Sequence, residues 1–215
     1  MKGICFKEPL FIATIKGIKT QTRRIINPQP DNIRSVSIKL MKSGVDYQLI
    51  TPKGIPEPAI SFLTCKNKYL KPRYKVGEVV YLKEPYVHFI EDGYKVHVYK
   101  YMNDEAELWE GGTGFSWINK LFMPEIDARY FIKITAVRAE RLQDISDEDC
   151  IREGIIEERI WGNHTEWFTY CNGTYSFTTP REAYKELINS IHGKGTWEEN
   201  PFVWVYDYEL YKEEL

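Results

Sequence analysis

Cysteine is scarce in this chain. Among 215 residues there are four, Cys5, Cys65, Cys150 and Cys171, and no two form a CxxC pair. Scattered thiols of this kind fit a reducing cytoplasm rather than a disulfide framework. Histidine is equally sparse: His88, His97, His164 and His192 show no metal-ligand spacing, so neither a metal nor a cofactor is expected. No apolar run approaches the roughly 20 residues a membrane span needs. The opening MKGICFKEPL lacks the long apolar stretch of a signal peptide. A cytoplasmic protein with no membrane attachment is the expectation. GxxxxGKS, GxxxxGKT, a strand-linked GxGxxG and GxSxG are all missing, which disfavours nucleotide hydrolysis and dinucleotide redox chemistry. Zinc hydrolysis falls with the missing ligand spacing.

What is present is apolar and aromatic. Hydrophobic residues make up 43% and aromatics 14%, enough for a packed core in one large domain or one domain with insertions. The net charge of −2 hides an uneven distribution. Residues 1–83 hold 16 Lys and Arg against 5 Asp and Glu, and the remainder hold 13 against 26. Such a segregation either builds one cationic surface suited to a phosphate-bearing partner or disappears as the two halves pair on folding.

The pattern along the chain reads as many short strands and few helices. EPLFIATIK (8–16) predicts a short helix with Pro9 early and Gly17 as its stop. RSVSIKL and DYQLI, separated by MKSG, predict a hairpin, and TPKGIPEP (51–58) a loop. KVGEVVYLKE (75–84) predicts a tight turn at Gly77 and then a buried strand. YKVHVYKY (94–101) and YFIKITAVRAERL (130–142) predict further strands, and GGTGFSW (111–117) a flexible link. FVWVYDYEL (202–210) alternates large aromatics with Val, Asp and Glu, a strand with one heavily apolar face. Ser146 to Asp149 resembles a capping box, with Gly154 closing that helix. Thr179-Pro-Arg-Glu182 is a full capping box. It is followed by an apolar stripe of Ala183, Tyr184, Leu187, Ile188 and Ile191 that reads as core. The class is α+β with a small, closed or nearly closed β-barrel.

One stretch breaks the pattern. GIKTQTRRIINPQP (17–30) gathers Lys19, Arg23 and Arg24 around two threonines with no carboxylate nearby. Gly17-x-Lys19-Thr20-x-Thr22-x-Arg24 resembles the N-terminal signature of the activating-signal-cointegrator homology (ASCH) domain. Lys75-Val-Gly-Glu-Val-Val-Tyr is similar to that family's turn and barrel strand, with Glu78 where Asp is commoner. Arg138-Ala-Glu-Arg-Leu-Gln-Asp-Ile-Ser leading into DEDCIREGI is similar to its strand-then-helix block, and NPFVWVYDYEL to its last strand. The longer layout, with YLKEPY and MPEIDARYFIKI, resembles phage-encoded and prophage-encoded members. The resemblance implies a single ASCH domain over 1–215 with a PUA-like β-barrel, flanking helices and insertions near 27–73, 86–125 and 155–178.

It also implies recognition of RNA or a modified nucleoside in a cleft beside the barrel. Some compact family members hydrolyse N4-acylated cytidine with a Lys, Thr and Glu trio, which falls here on Lys19, Thr22 and Glu153. In such chemistry a threonine hydroxyl needs a base, and a lysine serves as one only where burial or nearby cations lower its pKa. Arg23 and Arg24 supply the neighbouring charge and candidate substrate contacts. Glu153 protonates the leaving amine or stands as an ordinary helix-end glutamate. Residues 19 and 22 of one regular strand face opposite sides, so both reach one cleft only if the strand begins after Lys19.

Three further groups have two readings each. CKNKYLKPRYK (65–75) interleaves Lys66, Lys68, Lys71, Arg73 and Lys75 with Tyr69 and Tyr74, as a single-stranded nucleic-acid surface does, or as a solvated loop does. Glu84 accepts from an exocyclic amine or Arg24, or forms a structural salt bridge. Trp161, Trp167 and Phe168 lid the cleft or pack in the core. Binding of RNA or a modified nucleobase, with or without amide hydrolysis, is one functional expectation. A phage accessory protein that binds a host protein through its acidic half is the other.

Overall fold

The computed structural model describes residues 1–37, 59–66, 68–101, 116–159, 166–169 and 176–211. The strands are β1 (Lys2–Cys5), β2 (Gln21–Ile25), β3 (Asn32–Ser37), β4 (Ala59–Cys65), β5 (Lys68–Tyr69), β6 (Val79–Lys83), β7 (Tyr86–Glu91), β8 (Tyr94–Tyr99), β9 (Phe131–Arg141), β10 (Ile156–Arg159), β11 (Glu166–Thr169) and β12 (Phe202–Tyr211). The helices are α1 (Glu8–Ile15), α2 (Asp147–Arg152), α3 (Pro180–His192) and α4 (Thr196–Glu199), with short 3-10 turns at Lys120–Phe122, Glu125–Asp127 and Leu142–Asp144. Helices and sheets both contribute, so the α+β class holds. Among the described residues the pairings form open sheets and do not close on themselves.

The chain divides into two compact units. The first takes Met1–Lys19, Val79–Lys133 and Glu209–Leu215; the second takes Thr20–Glu78 and Ile134–Tyr208.

In the first unit β1 runs parallel to β6, and β6 runs antiparallel to the opening residues of β9. Gly3 sits opposite Tyr81, and a Cβ there would fall 2.7 Å from the Tyr81 ring, so this position needs glycine for close approach. Helix α1 buries Leu10, Phe11, Ala13 and Thr14. The Phe11 ring meets Tyr101 and Tyr130 edge-on at 5.1 and 5.9 Å. Full burial of one such side chain contributes about 1.5–3 kcal/mol. Gly17, at φ +73, ends the helix as the sequence predicts. Strands β7 and β8 form a hairpin in which Tyr86 faces Tyr99 and His88 faces His97. Its turn is Asp92-Gly93, both at positive φ, the residue pair that tight two-residue hairpins favour.

In the second unit β9 neighbours β12, and β12 pairs antiparallel with β2 from Val203↔Ile25 to Asp207↔Gln21. Strand β12 differs from its sequence reading: every residue from Val203 to Tyr208 is buried, so both faces are covered, not one. Helix α2 is capped by Ser146, whose Oγ accepts the Asp149 amide at 3.2 Å. Helix α3 is capped by Thr179, which accepts the Glu182 amide at 3.2 Å. Ala183, Tyr184, Leu187 and Ile188 are buried there, while Ile191 keeps 36% exposure at the rim. Strand β3 pairs with β4 from Asn32↔Thr64 to Ser37↔Ala59. DYQLI, TPKGIPEP, most of GGTGFSW and Trp161 lie outside the described residues.

Candidate nucleobase-recognition site

Strand β2 divides the cationic motif between two faces. It begins at Gln21, after Lys19. Residue 20 is held from two sides: its amide donates to the Arg152 carbonyl at the end of α2, and its carbonyl accepts the Tyr208 amide, each at 2.9 Å. From that fixed point side chains alternate, so Gln21 and Arg23 share one face and Thr22 and Arg24 the other. The register confirms the split on β12, where Asp207 stands opposite Gln21 and Tyr206 opposite Thr22.

The Arg23 face is a charge network with Arg23 enclosed at its centre. The Arg23 side chain has no solvent exposure and lies 2.8 Å from Asp149, 3.2 Å from Glu140 and 3.2 Å from Glu153. It also donates to the Gln21 side-chain oxygen. Gln21 in turn donates to Asp207 at 2.7 Å and to Asp149 at 3.1 Å. Arg138 on β9 bonds Glu140, Asp149 and Asp207, and Arg152 on α2 bonds Asp207. Burial alone would weaken Arg23's hold on its proton. The charge of Glu153 and the bond to Asp149 outweigh that and raise its pKa further. Burial likewise pushes the Asp149 carboxyl up, but Arg23 holds it below its ordinary value. Arg23 and Glu153, placed in separate roles by the sequence, are therefore partners.

The Thr22 face is aromatic and leads to the basic segment. Trp204, Tyr206 and Tyr208 lie on it, all buried, as is Thr22 at 4% exposure. Arg24 is half-buried. Tyr206 links this face to residues 69–75: its hydroxyl accepts the Arg73 amide at 3.0 Å, and its ring meets Tyr74 edge-on at 5.2 Å. Burial pushes the Tyr206 pKa up to about 12, so the hydroxyl keeps its proton at neutral pH. Tyr74, expected to stack on a base beside Tyr69, is instead buried at 4% exposure and serves as a support. Tyr69 is 48% exposed, and Lys71, Arg73 and Lys75 are exposed. The Arg73 guanidinium lies 5.5 Å from the Tyr74 ring centre. The Lys68 side chain lies outside the described residues, as do those of Trp167 and Phe168, whose backbones pair with Glu158 and Glu157. Tyr206 was not a predicted site residue; the aromatic alternation of 202–208 was its only signal.

Lys19 and Glu84 belong to the first unit. Lys19 is 1% exposed, with its ammonium 5.5 Å from the Phe6 ring centre. Glu84 takes the salt-bridge alternative: Arg129, not Arg24, bonds both its oxygens at 2.9 and 2.7 Å and also donates to the Tyr101 carbonyl. Burial raises the Glu84 pKa despite the opposing pull of Arg129. Among the described residues no group of three His, Cys, Asp or Glu side chains gathers as a metal site, and no helix is long and apolar enough to cross a membrane.

No family model, no curated protein and no solved structure matches this chain.

Proposed function

We propose that this chain is an ASCH-type protein, built on a PUA-like barrel, that binds RNA or a modified nucleobase by recognition rather than by catalysis. The observation that carries the reading is the Tyr206 link. One side chain joins the strand of Thr22 and Arg24 to a segment that offers Tyr69, Lys71, Arg73 and Lys75 to solvent. Exposed cations beside an exposed ring are what a single-stranded backbone and its bases require. Hydrolysis has weaker support. A nucleophile and its acid or base must come within hydrogen-bond reach, and Glu153 is engaged from the face of β2 that Thr22 does not share.

Titration of a fluorescently labelled single-stranded RNA decamer into the full chain at several salt concentrations tests this. Affinity falls as salt rises, and Lys71→Ala or Arg73→Ala each lowers the log–log salt slope by about one. Tyr69→Ala costs about 1–3 kcal/mol of binding. Affinity indifferent to salt defeats the proposal. Incubation with N4-acetylcytidine leaves the substrate intact, whereas release of cytidine would return Lys19, Thr22 and Glu153 to a catalytic role.

A further inference from the structure

We propose that the β7–β8 hairpin carries a site for a borderline transition-metal dication such as Zn2+ or Ni2+, formed by His88 and His97. The two histidines are nine residues apart, a spacing with no meaning in sequence. Pairing of the hairpin sets them directly opposite each other, with ring centres 5.9 Å apart. Directly opposed residues of an antiparallel pair have Cβ atoms about 4.5–5.5 Å apart, close enough for two imidazoles to share one ion.

The second observation is the support behind His97. Its Nε2 lies 3.0 Å from Oδ1 of Asp127, which is itself 4% exposed. A carboxylate only accepts, so Nε2 of the neutral ring carries the hydrogen and Nδ1 keeps the lone pair. A carboxylate that orients a histidine through the nitrogen opposite the metal is the usual outer support of an imidazole ligand. Asp127 is itself held from several sides. Lys95 donates to its carboxylate at 3.1 Å, and the Tyr99 hydroxyl donates to its backbone carbonyl at 2.9 Å. His88 is exposed, with its ring stacked at 6.0 Å on that of buried Tyr86, and turns toward the shared ion at little cost. Imidazole pairs favour Zn2+, Ni2+ and Cu2+ over Mg2+ and Ca2+, and water completes the coordination. Lys95 offsets the Asp127 charge, so the ligand strength comes from the two rings and the expected affinity is modest.

The test is calorimetric titration of Zn2+, and separately of Ni2+, into the untagged full chain at neutral pH. The wild type gives one saturable site, and His88→Asn weakens it at least tenfold. Because His88 is exposed, that variant folds. Asp127→Asn weakens it about tenfold through loss of the support. His192→Asn, on α3 of the other unit, changes nothing and controls for adventitious histidine binding. Metal raises the melting temperature of the wild type and not of His88→Asn. Equal affinity in wild type and His88→Asn, or no saturable binding, overturns the proposal. Neither result touches the RNA reading, which uses other residues.

Discussion

The two faces of β2 treat neighbouring arginines in opposite ways. Arg23 is enclosed by carboxylates from helix α2, from the residue that caps its C-terminus and from one strand, and the network leaves it no exposed surface. Arg24, one residue on, is half-buried on a face lined by Trp204, Tyr206 and Tyr208. The difference teaches that a cationic run is not one functional unit. A strand deals its residues alternately to two environments, here one lined by carboxylates and one by aromatic rings.

The sharpest way to break this comparison is to exchange the roles by mutation. Arg23→Ala strands Glu153, Asp149 and Glu140 without their shared cation, and chemical denaturation should show a loss of about 3–5 kcal/mol. A loss below about 1 kcal/mol would mean that the network relaxes into solvent and the faces differ little.

Next in size is Asp149→Asn, about 1–3 kcal/mol at neutral pH. Its pH dependence carries a definite sign. The folded-state pKa lies below the ordinary 3.8, so the stability from Asp149 is complete above that value and drains away as pH falls through the folded pKa. The gap between wild type and Asp149→Asn should therefore narrow in acid. Glu84 runs the other way. Its folded pKa is raised above 4.5, so its contribution is fullest below that value and is lost as pH rises through the folded pKa. The gap between wild type and Glu84→Gln should widen in acid. Urea melts at several pH values read both trends, and parallel trends would show that the two carboxylates are not in contrasting environments.

A smaller effect is expected from Tyr206→Phe. It removes one half-buried hydrogen bond from the Arg73 amide, worth about 1 kcal/mol of stability. It also frees the basic segment, so RNA affinity falls by more than stability does. An unchanged affinity would cut the proposed link between the Thr22 face and residues 69–75. Smallest in stability is Arg24→Ala, within about 0.5 kcal/mol of wild type, yet it should reduce the RNA salt slope by about one. If Arg24→Ala destabilises as much as Arg23→Ala, the comparison fails.

Local signals in the sequence found local structure. The Ser146 and Thr179 caps, the Gly17 stop and the Gly77 turn each depend on residues within a few positions, and each is present. The long patterned strands β9 and β12 were equally legible. The turn that joins β7 to β8 is written locally as well, in Asp92-Gly93. What could not be read were partnerships across the chain. Glu84 meets Arg129 through a bond that spans 45 positions, and Arg23 meets Glu153 across 130. Nothing near Glu84 or Arg23 encodes those choices, because a buried charge selects its partner by the path of the backbone. The second buried face of β12 was hidden for the same reason. Asp207 and Arg138 look like surface residues until their charges are seen to cancel.

The two bonds that grip residue 20 have a consequence for how this protein can vary. They set the phase of everything after it. Point changes at 21–25 alter one face at a time, but a single inserted or deleted residue just past Thr20 would turn the strand over. The arginine meant for the carboxylates would then meet aromatic rings, and the hydroxyl meant for the rings would meet the acids. Descendants of this sequence are therefore free to change letters here, and not free to change their number.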